Sequence, residues 1–262
     1  MELGFDIIAL LVAAAFVAGM IDAIAGGGGL ITIPALLAAG VPPVAAIATN
    51  KLQSTIGTGG AVIAFARGGH IEFRRFAVPA LGAFAGSAIG AFILTRIDSG
   101  FLAALLPALL VAMALYYCFA PKMSDIDRKS RAGPLLLAAA AMVIGCYDGF
   151  FGPGTGSFFT TALVAIFGLG LIRAVAHAKL LNLASNVAGL AVLVVGGHVL
   201  WITGLAMAVG STAGGQVGAH FAMRFGAGIA RPLLIVSSLA LTAKLLWDPA
   251  NPLTATVLGW MG

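Results

Sequence analysis

Asp22-Ala-Ile-Ala-Gly-Gly-Gly-Gly29 recurs further along the chain as Asp148-Gly-Phe-Phe-Gly-Pro-Gly-Thr155, and both copies lie between strongly apolar stretches. Each copy places an aspartate shortly before residues that interrupt a helix, because glycine is too flexible and proline lacks a backbone N–H. The repetition predicts a duplicated chain with one broken helix in each half.

The composition around these segments indicates an all-α polytopic membrane protein. Of the 262 residues, 61% are hydrophobic and only 9% are charged, and the mean hydropathy is +1.08. A soluble core of this size cannot hide so many apolar residues. The apolar runs lack the alternating pattern of outer-membrane strands, so we expect helices rather than a barrel.

The charged residues fit the same class. The net charge is +5, but the basic residues stand in short loops or singly between apolar spans, as expected for a membrane protein and not for a nucleic-acid-binding one. The N-terminus lacks the basic region of a cleavable signal peptide, so we expect a first membrane helix that is retained. Cys118 and Cys146 form no CxxC motif and carry no information about redox compartment.

Eight apolar spans and two shorter apolar pieces divide the chain into two similar halves. The spans lie at about 5–24, 44–66, 75–97, 100–120, 134–150, 172–196, 200–223 and 229–247. The shorter pieces, at about 30–39 and 157–168, follow the glycine-rich breaks and are long enough for half a bilayer. We therefore predict one membrane domain, 1–262, with two homologous repeats, 1–120 and 134–250, and a linker, 121–133. Each repeat has about four long helices and one glycine-rich half-helix.

Further matches support the duplication. Gly19 aligns with Gly145, and Gly68-Gly-His70 aligns with Gly196-Gly-His198. In the second alignment two ladders of small residues correspond, and we expect them to be seams of tight helix packing. They are Gly82, Gly86 and Gly90 in the first half and Gly210, Gly214 and Gly218 in the second.

Loop charges predict that the repeats are inverted. The linker carries Lys122, Arg128, Lys129 and Arg131, which indicates a cytoplasmic location. The 67–75 loop has three arginines whereas its counterpart near His198 has none, and the bias reverses at the next pair of loops. Opposite biases at matching loops are typical of inverted repeats with an odd number of crossings in each half. Parallel repeats with re-entrant half-helices remain the alternative.

The two breaks are candidate anion cradles. Non-helical backbone at membrane depth leaves N–H groups without partners inside a helix, so they must be satisfied or used. Because each break is followed by the start of the short helix, these N–H groups form a nest of positive partial charge that suits an anion. The candidate residues are Gly26, Gly27, Gly28 and Gly29 in the first break and Gly152, Gly154, Thr155 and Gly156 in the second. Close packing between helices is the alternative interpretation of these glycines.

A polar stripe on the long helix after each break is the second candidate. Lys51, Ser54 and Thr58 share one helix face, and Lys179, Asn182 and Asn186 repeat that spacing. Asn50 adds a further donor beside the first stripe. Two facing stripes headed by cations predict an anion site. The alternative is that the lysines are anchors that extend toward the lipid headgroups.

Four titratable residues are candidates for coupling transport to an ion gradient. Asp22 and Asp148 precede the breaks, where an unpaired carboxylate is costly; they serve either in coupling or in pairing with Lys51, Lys179 or backbone N–H groups. His177 and His220 have no titratable counterpart in the first half, and local hydrogen bonding is their simpler role. No catalytic residues, no metal site and no cofactor are expected.

Four segments of the chain together resemble a known family. The segments Asp22 to Pro34, Thr49 to Ser54, Tyr147 to Ser157 and Lys179 to Asn186 are similar to the TauE/SafE sulfite-exporter (toluene sulfonate uptake permease) family, and most to its YfcA-type branch. The resemblance covers nearly the whole chain. It implies transport of small sulfur-containing anions across the bacterial inner membrane. Pro34 departs from the duplication, because Thr160 stands at the matching position.

The resulting hypothesis is a secondary transporter for a small anion, an oxyanion of sulfur or an organosulfonate, that works by alternating access between the repeats. A passive anion channel of the same architecture is the alternative. An enzyme is disfavoured, because HExxH and P-loop motifs are absent. The expected partners are the anion and the lipid bilayer, with no nucleic acid, and a homo-oligomer is left open.

Overall fold

The computed structural model describes residues 3–119, 127 and 133–225, and within them it is built of helices. In chain order these are α1 (Phe5–Ala25), α2 (Gly29–Ala38), α3 (Pro43–Arg67), α4 (Phe73–Leu94), α5 (Ser99–Phe119), α6 (Pro134–Phe150), α7 (Thr155–Ala165), α8 (Leu171–Val195) and α9 (Trp201–Phe225). The predicted span at 229–247 and most of the linker lie outside the described residues.

The helices confirm the all-α prediction and the position of each predicted span up to residue 225. Both short helices, α2 and α7, follow the glycine-rich breaks as expected. Within the described residues, three helices are long and apolar enough to cross a membrane by length and composition, at Phe5–Ile24, Phe73–Leu94 and Leu171–Val195. Helix α3 carries more polar residues, because it holds one of the predicted stripes.

The two glycine ladders are seams of backbone contact, as predicted. A Cβ added to Gly82, Gly86 or Gly90 of α4 would meet, in the same order, the backbone oxygens of Ala138, Met142 and Cys146 of α6. The ladder of α9 makes the same kind of contact with α1, at Val12, Phe16 and Met20. Contact positions that advance together mean that α4 runs parallel to α6, and α9 runs parallel to α1.

The remaining contacts fix the direction of α3 and α8. Leu52 and Gly57 of α3 lie against Gly204 and Ser211 of α9, so α3 also runs parallel to α9. Helix α8 runs parallel to α4, because Phe76 stacks on His177 near one end and the Ser87 hydroxyl donates to the Ser185 carbonyl oxygen further along. Helix α3 runs opposite to α8, because Lys51 lies against Asn186 whereas Gly59, further along α3, lies near Leu183, which comes earlier in α8. Thus α1, α3 and α9 share one direction, and α4, α6 and α8 share the opposite one.

The ladder contacts lead to a stability prediction. Gly86→Ala should lower the thermal unfolding temperature in detergent, because the new methyl group would overlap the Met142 backbone oxygen and push α4 from α6. The matched control is Gly59→Ala in α3, where the added carbon meets only Leu183 Cδ1, at 3.9 Å. That control should be neutral or stabilising, because alanine favours a helix by about 1 kcal/mol over glycine. Equal unfolding temperatures for the two variants would contradict the seam.

Candidate functional site

The two glycine-rich breaks contact one another in the middle of the structure. Helix α1 ends just before Gly26, which has φ 80°, and α7 begins after Gly154, which has φ 82°. Such left-handed backbone favours glycine. A Cβ on Gly26 would lie 2.5 Å from the carbonyl carbon of Gly156, so the two chain segments touch directly. The breaks are therefore both bends in the chain and points of close approach.

A small polar cavity lies beside this contact. Its lining combines carboxylates, amides, hydroxyls and glycine backbone from both breaks and from α3 and α8. The lining residues are Asp22, Gly26, Gly29, Asn50, Ser54, Thr58, Asp148, Gly152, Gly154, Gly156, Asn182 and Asn186. The sequence singled out each of these as a candidate, and the structure brings them together around one space.

The lysine of the first stripe is fully buried in an ion pair. Lys51 Nζ lies 2.7 Å from Asp148 Oδ2, and the two side chains are 1% and 2% exposed. The same ammonium donates to Asn186 Oδ1 at 3.0 Å, and the Ser185 hydroxyl donates to Asp148 Oδ2 at 2.6 Å. Because Lys51 is enclosed and bonded in this way, it is not an anchor at the lipid headgroups.

The lysine of the second stripe makes the matching pair with the other aspartate. Lys179 Nζ lies 2.7 Å from Asp22 Oδ2 and also donates to the Asp22 backbone oxygen. Asp22 Oδ1 accepts from the Gly28 N–H at 3.2 Å. This pair differs from the first in exposure, since the Asp22 side chain is 23% exposed while Lys179 is 1% exposed. Each lysine thus pairs with the aspartate from the other half of the chain.

Amide side chains join the lining into a hydrogen-bonded network. Thr32 and Gln53 both donate to Asn50 Oδ1, at 2.6 and 3.0 Å, and Asn186 donates to Asn182 Oδ1 at 3.0 Å. Sequence reasoning missed Thr32 as a member of this network. Its position on the short helix directly after the glycine run was the available signal.

Several predicted residues do not line the cavity. Gly27, Gly28 and Thr155 are buried in the breaks, and the two lysines are not lining residues although each is bonded to an aspartate that is. His177 is buried away from the cavity, where Nε2 accepts from the Glu72 N–H at 3.0 Å and Nδ1 lies 2.7 Å from the Arg173 carbonyl oxygen. His220 is exposed on α9. The described geometry therefore joins Asp22 and Asp148, but neither histidine, to the candidate site.

The chain is similar to a known protein family over most of its length. The model of the sulfite exporter TauE/SafE family matches residues 11–245. The chain belongs to the TauE/SafE family. A probable membrane transporter protein, ORF9 of Sinorhizobium sp., is 46% identical over all of this chain and 99% of its own length. A probable membrane transporter of Haemophilus influenzae is 43% identical over 95% of this chain and 98% of its own. YfcA of Escherichia coli K12, also named a probable membrane transporter, is 41% identical over 95% and 91%.

No solved structure matches the chain. Membership of the TauE/SafE family and the names of these relatives place the protein among membrane transporters rather than enzymes. They also agree with the apolar helices in making it a membrane protein.

Outside the cavity, this TauE/SafE chain has a polar latch, formed by Glu72, Asp127 and Arg173. Arg173 bonds Asp127 Oδ2 at 2.8 Å and also pairs with Glu72, and the Gly170 N–H donates to Asp127 Oδ1 at 2.6 Å. The Gly170 and Arg173 bonds lower the pKa of Asp127, and Arg173 lowers the pKa of Glu72 against the opposing effect of partial burial. Both contacts therefore persist at neutral pH and are lost only as the pH falls through these lowered pKa values.

The latch predicts how the linker responds to protease. Arg173→Gln should speed tryptic cleavage after Arg128 several-fold at neutral pH, because Asp127 loses its charge-assisted bond. Arg96→Gln removes an arginine from the loop after α4 and should leave the cleavage rate unchanged. The rates are read from fragment bands over time. Cleavage of the Arg173 variant at the parent rate would contradict the latch.

Proposed function

We propose that the protein is a secondary transporter that moves a small anion, an oxyanion of sulfur or an organosulfonate, across the bacterial inner membrane as a multi-pass protein. The observation that carries the proposal is the polar cavity between the two glycine-rich breaks. Its amide and hydroxyl groups and its glycine backbone suit the oxygen atoms of a compact anion.

The helix directions support two inverted repeats. Matching α1 with α6, α3 with α8, and α4 with α9 pairs helices of equal order in the two halves, and each pair runs in opposite directions. Inverted repeats with a site at their junction are the usual basis of alternating access. The arginines agree, because Arg67, Arg74, Arg75 and Arg173 gather at one end of the helices beside Asp127 of the linker. We assign that end to the cytoplasm.

The unequal ion pairs support alternating access between the two ends. Lys51 is eight residues into α3 and Lys179 is eight residues into α8, each about 12 Å from the start of its helix. Since α3 and α8 run in opposite directions, the pairs lie toward opposite ends of the molecule. The Lys179–Asp22 pair, toward the arginine-rich end, is the more exposed. We therefore interpret this conformation as open toward the cytoplasm and closed at Lys51–Asp148.

A flux panel in proteoliposomes tests the proposal. The panel compares sulfite, thiosulfate, sulfoacetate, methanesulfonate, taurine and chloride, with and without a pH gradient. A transporter should show saturable uptake of at least one sulfur anion, and unlabelled anion on the far side should accelerate it. Flux that is neither saturable nor accelerated in this way would indicate a channel. Absence of flux for the whole panel would overturn the proposal.

A further inference from the structure

The charged groups in and beside the cavity already neutralise one another, unlike those of a simple anion site, which would carry a free positive charge. Within the described part of the chain, its lining includes two carboxylates and no lysine or arginine. The two ammonium groups behind the lining are already bonded to those carboxylates at 2.7 Å. The four charges sum to zero. An anion that entered this site would meet two carboxylates and no available cation.

We propose that the Asp22–Lys179 pair is a proton-gated anion site. A proton from solution adds to the Asp22 carboxylate, the ion pair opens, and a fully ionised anion replaces the carboxylate as the partner of Lys179. No covalent bond forms or breaks apart from the O–H bond on Asp22, and the proton leaves with the anion. This inference rests on the proposed function and names the group that couples it to protons.

The cost of an unbalanced charge in a buried site explains why the proton and a monovalent anion bind together. The empty site holds one ammonium and one carboxylate, and the loaded site holds one ammonium and one anion, so both have a net charge of zero. A site with only the proton has an unbalanced positive charge, and a site with only the anion has an unbalanced negative charge. Buried unbalanced charge costs several kcal/mol, so the half-loaded forms are rare and the two fluxes are linked.

The geometry identifies Asp22, rather than Asp148, as the proton acceptor in this conformation. The Asp22 side chain is 23% exposed, whereas the Asp148 side chain is 2% exposed and also accepts from the Ser185 hydroxyl. A proton and an anion therefore reach Asp22 and Lys179 first.

The other charged groups on the described helices around Asp22 do not compete for this role. Lys51 and Asp148 are bonded to each other across the cavity. Arg67 and His220 are exposed. Arg173 is paired with Glu72 and Asp127, and His177 accepts from the Glu72 N–H.

Methanesulfonate and thiosulfate are the probes for the test, because both are ionised at neutral pH and neither carries a proton itself. In proteoliposomes that contain a pH-sensitive dye, the parent should take up about one proton with each methanesulfonate and at least one with each thiosulfate. Asp22→Asn replaces the carboxylate with an uncharged amide, which resembles protonated Asp22 but cannot bind or release a proton. It should still bind both probes, but proton uptake should fall to the background of empty vesicles.

Two variants control the chemistry. Asp98→Asn changes an exposed aspartate in the loop before α5, outside the cavity, and should keep the parent ratio of protons to anions. Asp22→Glu retains a carboxyl group and should keep proton uptake. A structural role for Asp22 alone would not separate Glu from Asn in this way.

Equilibrium binding to the purified parent tests the same idea without a variant. Methanesulfonate affinity should rise as the pH falls, by up to about tenfold for each pH unit, because one proton binds with each anion. Affinity independent of pH, or proton uptake retained in Asp22→Asn, would overturn the inference while leaving the transporter proposal intact. Failure of the parent to bind either probe would overturn the inference. Movement of another panel anion would then still support the proposed function.

Discussion

Asp148→Leu is expected to lower the free energy of unfolding by about 3–5 kcal/mol, because it leaves the Lys51 ammonium buried without its carboxylate. The side chains of this pair are 1% and 2% exposed and their charged atoms lie 2.7 Å apart. Among the described residues, Lys51 then keeps the Asn186 amide oxygen, at 3.0 Å, as its side-chain partner. Leucine is close to aspartate in length, so loss of charge rather than loss of volume dominates the effect.

The measurement is the thermal unfolding temperature of the purified protein in detergent. Lys51→Met combined with Asp148→Leu should recover most of the loss, because replacing both members of a buried pair with apolar side chains leaves no unpaired charge. Asp22→Leu should cost less than Asp148→Leu, because the Asp22 side chain is 23% exposed and Lys179 keeps the Asp22 backbone oxygen. A double variant no more stable than Asp148→Leu would contradict the buried-pair explanation.

The sequence predicted the components of this site better than their pairing. Comparing the halves identified both lysines, both aspartates and the asparagines of the second stripe. It left open whether the aspartates pair with the lysines or serve in coupling. The crosswise pairing of Lys51 with Asp148, and of Lys179 with Asp22, depends on how α1, α3, α6 and α8 cross in space. A one-dimensional pattern does not contain that arrangement.

Ser185 shows why comparing the halves also hides residues. Its hydroxyl donates to Asp148 Oδ2 at 2.6 Å, yet the matching position in the first half is Gly57. A search for matched polar residues therefore passes over it. Gly57 is small for a different reason, since a Cβ there would overlap the Ser211 hydroxyl of α9. The same position therefore supports an ion pair in the second half, at Ser185, and allows a close helix contact in the first half, at Gly57.

His177 shows the limit of assigning a role from residue type. Its lack of a titratable counterpart made it a candidate for coupling, with local hydrogen bonding as the simpler role. Both ring nitrogens have partners, and the ring stacks on Phe76 with centroids 3.8 Å apart. The Glu72 N–H, which lies in the loop before α4, is one of those partners. A contact between residues 105 positions apart cannot be predicted from the local spacing of polar residues.

Gly26→Ala is expected to reduce transport of the panel anions at least tenfold, because it forces apart the two breaks that border the cavity. The added carbon would lie 2.5 Å from the Gly156 carbonyl carbon and 2.6 Å from the Ser157 nitrogen. Both neighbours are backbone atoms, so no side-chain rotation can relieve the overlap. The left-handed backbone at φ 80° adds conformational strain for any residue with a Cβ.

Gly40→Ala separates these two costs, because Gly40 has nearly the same backbone angle, φ 81°, but a Cβ there meets nothing within 4 Å. Its cost is confined to backbone strain of about 1–2 kcal/mol, and transport should stay near the parent rate. Initial rates in proteoliposomes, normalised to inserted protein, give the comparison. Equal loss in both variants would assign the effect to strain alone, whereas loss only in Gly26→Ala ties transport to the contact between the breaks.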